Sequence, residues 1–238
     1  MRVTIIETGR APGRLSEDYP RYPDMFAELL GEADAGLSFE VVRLPDGEAL
    51  PDPADCEAVV ITGSPAGVYE RTPWMDPLRA FVRAAFGAET PMVGVCFGHQ
   101  IIADAMGGDV RKSDKGWGVG RHTYEVLEHR PWMAGAGASV SLAVSHQDQV
   151  ITPPAGAVTL ARSAHTDHAM LVYQAAPVMS VQGHPEFGDE FVAALYAARR
   201  GRLSDEQVDG AIASLAEPHD NEMMARWMAA FLRSGRRS

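Results

Sequence analysis

Cysteine is nearly missing from this chain: 238 residues contain two, Cys56 and Cys96. A disulfide-stapled secreted scaffold would carry more, and a chain of this length buries enough surface to do without one. Basic residues are also scarce, 21 Lys and Arg against 32 Asp and Glu, for a formal charge of −11. Nucleic acid and anionic membrane surfaces both demand a basic face, so neither is expected as a partner. No window approaches the ~20 consecutive apolar residues of a membrane helix. Met1 to Glu7 lacks the long apolar stretch and small-residue cleavage site of a signal peptide. The expectation is a cytoplasmic protein, where a free thiol survives best. Repeats and low-complexity linkers are missing too. With 46% hydrophobic residues the chain can bury a substantial core, which excludes disorder.

Short apolar runs alternate with helical patterns, the signature of a mainly parallel central sheet with helices on both faces. Val3–Ile6, Phe39–Arg43 and Ala58–Thr62 read as the first three strands, and Pro91–Val95 as a buried strand running into Cys96. Helix-period apolar residues lie between them at Met25, Phe26, Leu29 and Leu30, and at Trp74, Leu78, Phe81, Val82 and Phe86. From Val110 to Tyr173 the pattern turns to short β-like runs broken by Gly and Pro, a small antiparallel extension. Pro177–Gln182 returns to a buried strand, followed by a helix through Phe191, Val192, Leu195 and Tyr196. Ser204 to Leu232 reads as helical, opening on the capping pattern Ser204-Asp205-Glu206-Gln207. The simplest organisation is one α/β domain over residues 1–201, with 202–238 a helical appendage packed on it.

Gly94-Val95-Cys96-Phe97-Gly98 sets a nucleophile between two glycines where a strand passes into a helix. A residue on so sharp a turn takes a strained backbone, and its neighbours two positions away must be minimal for it to project freely. The helix behind it offers its N-terminal amides and dipole to negative charge on sulfur. The Phe97 N–H would point toward the oxyanion of a tetrahedral intermediate. Downstream, Gly183-His184-Pro185-Glu186 ends another strand with a histidine and a glutamate two residues apart. From there the imidazole reaches a neighbouring strand's nucleophile while the carboxylate orients it from behind. Thr62-Gly63-Ser64-Pro65 ends the third strand, where the backbone N–H groups of Gly63 and Ser64 could supply the rest of an oxyanion hole.

Together, Gly94-Val95-Cys96-Phe97-Gly98-His99-Gln100, His184-Pro185-Glu186 and Gly63-Ser64-Pro65 resemble the class I (triad) glutamine amidotransferases, over about residues 40 to 195 and in the right order. The resemblance implies their flavodoxin-like α/β fold and a cysteine that attacks the glutamine side-chain amide, releases ammonia and leaves a γ-glutamyl thioester for water. Carried over by position, Cys96 is the nucleophile, His184 the base and acid, and Glu186 its orienting partner. Gln100 falls where the family contacts bound glutamine. Ser145-His146-Gln147-Asp148 resembles the segment that helps hold the substrate's amino-acid end. No cofactor or metal is implied. The family's oxyanion turn usually has two successive glycines, whereas Ser64 holds the second position here; a serine is tolerated if its φ is negative.

Such glutaminases normally feed ammonia to a synthetase, so a separate synthetase chain is the protein partner that the resemblance implies. The glycine-rich phosphate loop and ATP-pyrophosphatase region that follow the glutaminase in GMP synthetase are missing from the residues after Gly201, so the chain looks like a stand-alone member. Through Lys115-Gly116-Trp117-Gly118-Val119-Gly120 and Ser145–Asp148 it is also similar to the γ-glutamyl peptidases of the same superfamily. The expected substrate is therefore glutamine or another γ-glutamyl compound such as a glutathione-type peptide. A cysteine α/β-hydrolase would carry its acid between nucleophile and histidine; here the order is Cys, His, Glu. A non-enzymatic relative would have a broken triad.

Other residues carry plainer readings. Cys56, flanked by Asp55 and Glu57, is structural. His165 and His168 lack the further ligands of a metal site. His99 is a packing residue. Trp117, between two glycines, lines a pocket rim or covers the sheet edge.

Overall fold

The computed structural model describes residues 1–235. The chain opens with β1 (Arg2–Glu7), the one-turn helix α1 (Leu15–Asp18), α2 (Tyr22–Ala33) and β2 (Ser38–Arg43). Next come β3 (Ala58–Ile61), α3 (Met75–Gly87), β4 (Met92–Val95) and α4 (Phe97–Ala105). The middle third is all strand: β5 (Asp109–Lys112), β6 (Gly118–Val126), β7 (Ser139–His146), β8 (Asp148–Thr152), β9 (Ala157–Arg162) and β10 (Met170–Tyr173). Then follow β11 (Val178–Val181), α5 (Asp189–Ala197), α6 (Asp205–Ala213) and α7 (Asn221–Ser234).

Nine strands form one sheet in the order β2-β1-β3-β4-β11-β10-β9-β6-β7. The half from β2 to β11 is parallel; from β11 to β7 every pairing is antiparallel. Strands β5 and β8 form a separate antiparallel pair. The expected α/β class with its antiparallel extension is thus present, and the extension continues the main sheet through β11.

The parallel strands are apolar on both faces because both are covered. Successive side chains point to opposite faces. Val3, Ile5, Val60, Val93 and Val95 meet α2 and α7 through Phe26, Leu30, Trp227, Met228 and Leu232. Ile6, Val59, Ile61 and Met92 meet α3 and α4 through Leu78, Val82, Ile101 and Ile102. A third cluster joins α5 and α6 to the extension through Tyr22, Ala143, Phe187, Phe191, Leu195 and Tyr196.

The segment read as continuously helical from Ser204 to Leu232 is broken. Ser204 and Gln207 close the expected capping box on α6, but the chain is extended at Glu217, because the residue before Pro218 is sterically barred from the helical region. It resumes as α7 at Asn221. Helix α7 is built into the main core: Trp227 is fully buried and donates its indole N–H to the Ala134 carbonyl at 2.9 Å. Among the described residues no helix is long and apolar enough to cross a membrane.

Candidate active site

Cys96 occupies the single residue between β4 and α4, with φ 52° and ψ −102°. A non-glycine residue at positive φ costs on the order of 1–3 kcal/mol and persists only where its surroundings impose it. Its N–H donates to Val181 at 2.8 Å and its carbonyl accepts from Gln100 at 3.0 Å. Both flanking glycines are required by close approach. A Cβ on Gly98 would lie 2.2 Å from the Ile61 carbonyl oxygen, and one on Gly94 2.5 Å from the Gly98 oxygen.

His184 arrives from the adjacent strand β11. Its N–H donates to the Ala143 carbonyl of β7 at 2.9 Å, and its ring stacks on Phe187, centroids 4.0 Å apart and planes 6° from parallel. The ring's Nδ1 lies 2.7 Å from Glu186 Oε1, and the Glu186 side chain is fully buried. Burial opposes charge on the imidazole, yet the Glu186 carboxylate and the hydrogen-bonded Cys96 sulfur outweigh it and raise its pKa to about 10. With Nδ1 committed to Glu186, Nε2 is the nitrogen left for the sulfur. A thiol, an imidazole and a carboxylate so linked can transfer a proton and sustain a nucleophile.

Gly63 closes the third side. A Cβ there would lie 2.9 Å from His184 Cε1 and 3.8 Å from Cys96 Cβ, so only glycine fits without moving the ring. Ser64 is not among the positive-φ residues, which meets the condition set for serine at this position. Its hydroxyl donates to the Thr8 carbonyl at 2.8 Å and accepts from Ala66 N–H at 3.2 Å, tying the turn to the end of β1. The N–H groups of Gly63, Ser64 and Phe97 have no hydrogen-bond partner among the described residues, leaving three donors beside the sulfur.

Two cavities meet at Cys96. A 390 Å³ cleft is lined by Gln100, His146, Gln147 and Asp148, together with Tyr69 and Lys112. A 230 Å³ chamber is lined by His184, Tyr22, Phe187 and Leu195. Ser64, Ser145, Arg199 and Arg202 border both. The residues expected at a substrate site therefore all face the cavity. Gln100 is anchored there: its amide donates to the Asp148 carbonyl at 2.8 Å and to Gln182 Oε1 at 3.2 Å. Ser145 Oγ accepts from Arg199 Nε at 2.9 Å. His146 is buried, its pKa pushed well down by burial and by the neighbouring His122, His165 and His184, so it presents a neutral ring.

Trp117 resolves to the cavity rim, with the Arg199 guanidinium 4.5 Å from its ring centroid. Cys56 is buried away from the site and hydrogen-bonds toward Asp52 O at 3.6 Å; burial raises its pKa. His99 is fully buried against Ser180 Oγ at 2.8 Å, and burial lowers its pKa to about 3. His168 bonds Thr159 at 2.7 Å, while His165 packs edge-on against His122 and His146. Tyr22, Tyr69, Arg199 and Arg202 line the site without any local sequence signal; distant segments converge only in the fold.

The family model of glutamine amidotransferase class-I matches residues 27–190. One of the two subunits named for a glutamine-hydrolyzing GMP synthase of Sulfolobus acidocaldarius is 29% identical over 63% of this chain and 78% of its own length. Gamma-glutamyl peptidase 4 from Arabidopsis thaliana is 30% identical over 73% of this chain and 71% of its own. The crystal structure of a glutamine amido transferase from Methylobacillus flagellatus superposes with a TM-score of 0.77 at 24% identity, covering 99% of this chain and 95% of that one.

Proposed function

The chain belongs to the class-I glutamine amidotransferase family, and from that premise we propose that it hydrolyses the γ-amide bond of glutamine or of another γ-glutamyl compound through a thioester on Cys96. The observation that carries the reading is the buried His184 ring, bonded through Nδ1 to Glu186 at 2.7 Å and coupled on its other side to the Cys96 sulfur.

In the first half-reaction the Cys96 thiolate attacks the γ-carbonyl carbon, and the carbonyl oxygen takes the negative charge. The N–H groups of Phe97 and of the Gly63-Ser64 turn receive that oxyanion; each such donor is typically worth ~100–1000-fold in turnover. The C–N bond then breaks, and the imidazolium of His184 gives its proton to the leaving nitrogen. In the second half-reaction neutral His184 takes a proton from water, hydroxide adds to the thioester, and the C–S bond breaks to give glutamate. Glu186 keeps the ring oriented and stabilises its charged form throughout. Gln100, Ser145, His146 and Gln147 border the space for the glutamyl amino-acid end.

Among γ-glutamyl amides, the 230 Å³ chamber on the His184 side supports a leaving group larger than ammonia, as the likeness to a γ-glutamyl peptidase does. The likeness to a GMP synthase component supports the other branch, in which a synthetase takes up the ammonia. Purified protein is to be assayed for ammonia released from glutamine and amino acid released from γ-glutamyl peptides. Acid-quenched samples are analysed by mass spectrometry for a γ-glutamyl adduct on the Cys96 peptide. An adduct and turnover with at least one substrate are expected. Turnover that persists in Cys96→Ala would sink the mechanism.

A further inference from the structure

Two arginines beside the nucleophile have no acidic partner among the described residues. Arg199 and Arg202 lie just past the end of α5 and border both cavities. Their guanidinium carbons sit 4.5 and 5.8 Å from the centroid of the same Trp117 ring. Arg199 is also held through Nε by Ser145, which leaves the two terminal nitrogens of its fork to face the cavity. Neither arginine forms an ion pair there, whereas Arg200 between them pairs with Asp205 and Asp209. In a chain with 32 acidic residues against 21 basic ones, two unpaired guanidinium groups on one aromatic platform form a site shaped for an anion. Partly desolvated cations held side by side are stabilised by a carboxylate bound through paired N–H donors.

Which end of the substrate this anion belongs to follows from the direction of departure. The leaving nitrogen takes its proton from His184, and His184 borders the smaller chamber and not the cleft. In that chamber Arg199 and Arg202 are the other charged side chains, set against an apolar wall of Tyr22, Phe187 and Leu195. The larger cleft, with Gln100 and His146 to Asp148, carries acidic Glu70 and Asp148 as well as Lys112, a lining suited to the zwitterionic glutamyl end.

We infer that Arg199 and Arg202, oriented by Trp117, bind the carboxylate of the departing amino acid, so that the substrates are γ-glutamyl amino acids or peptides in preference to glutamine and to uncharged γ-glutamyl amines. This rests on the γ-glutamyl hydrolysis proposed above. The chemistry is unchanged: the C–N bond breaks, His184 supplies the proton, and the amino acid leaves with its carboxylate held while the glutamyl carbon stays on sulfur for water.

The test compares kcat/KM of the full chain for γ-glutamyl-alanine, γ-glutamyl-alaninamide, γ-glutamyl-ethylamide and glutamine. The wild type is expected to favour γ-glutamyl-alanine over its alaninamide by about tenfold or more, as for one charge-assisted contact. Arg202→Ala and Arg202→Glu should collapse that ratio, and Arg202→Lys should keep part of it. Arg202 is exposed, so these variants fold; Arg199→Lys gives an independent reading from the half-buried side. If all four substrates decline together in the variants, the arginines hold the glutamyl end and the inference is overturned. A wild type that hydrolyses γ-glutamyl-ethylamide or glutamine as well as γ-glutamyl-alanine overturns it too, while leaving the thioester reaction standing. If no γ-glutamyl compound reacts and none labels Cys96, the reaction and the inference fall together.

Discussion

Val95 of β4 and Val181 of β11 are register partners on adjacent parallel strands, and the residue after Val95 donates its N–H to the Val181 carbonyl at 2.8 Å. Cys96 and the His184 turn therefore leave the sheet side by side, from segments 88 positions apart in sequence. The thiol and the imidazole are positioned by ladder hydrogen bonds rather than by loops, which is how a site keeps the sub-ångström order that proton transfer needs.

The backbone of Cys96 yields a prediction in which stability and activity move in opposite directions. Cys96→Ala and Cys96→Gly should each lower turnover by several orders of magnitude, as loss of a catalytic nucleophile does. Cys96→Gly should nevertheless be more stable than Cys96→Ala by about 1 kcal/mol, because glycine takes φ 52° without strain. Urea denaturation of the two variants measures the difference. Cys56→Ala should retain near-normal activity.

Glu186 controls the pH dependence. The pKa of His184 is raised from 6.5 to about 10 in the folded protein, against burial, by Glu186 and Cys96. The stabilisation from charging His184 is therefore fully present below pH 6.5 and is lost as pH rises through about 10. Because the leaving group takes its proton from the imidazolium, kcat/KM should fall on the alkaline side near the same pH. Glu186→Gln removes the carboxylate that raises the pKa, so the alkaline limb should move to lower pH. An unmoved limb in a folded Glu186→Gln protein would assign it to another group.

Gly63→Ala tests the third wall. The new methyl would meet His184 Cε1 at 2.9 Å, turning the imidazole away from sulfur and shifting a peptide unit that offers an oxyanion donor. A fall in kcat of roughly 100-fold or more is expected, with KM much less affected and the fold retained by circular dichroism.

Ser64→Ala separates the turn's side chain from its backbone. The variant loses the hydroxyl that bridges Thr8 and Ala66, which should cost about 1 kcal/mol of stability. If this bridge keeps the turn's N–H groups in place, kcat should drop with it while the pH profile stays put. Ser64→Gly should lower stability further through the greater freedom of its unfolded chain. Thermal unfolding and steady-state kinetics on one preparation read both effects.

Local patterns made the parallel strands and the Cys96 turn legible, since both are written in contiguous residues: apolar runs such as Ala58-Val59-Val60-Ile61, and glycines two positions either side of a cysteine. The proximity of His184 to Cys96 followed once their strands were taken as neighbours. The split at Pro218 was legible in principle, because proline restricts the residue before it, yet the apolar periodicity of the flanking helices hid it. The platform of Trp117, Arg199 and Arg202 had no such signature. It joins the start of β6 to the chain past α5, and neither arginine differs locally from the ion-paired Arg200 beside it.

The sheet's change from parallel to antiparallel pairing at β11 divides the molecule's inheritance. Cys96, the oxyanion turn and the strand leading to His184 belong to the parallel half, whereas Trp117 and Ser145 to Asp148 come from the extension, and Arg199 and Arg202 from the chain past α5. Bond cleavage and ligand choice are thus encoded in separate stretches of the gene. Mutations in the second set can drift toward new leaving groups while the first set stays under strict selection. A scaffold partitioned in this way is evolvable, able to diversify its substrates without rebuilding its chemistry.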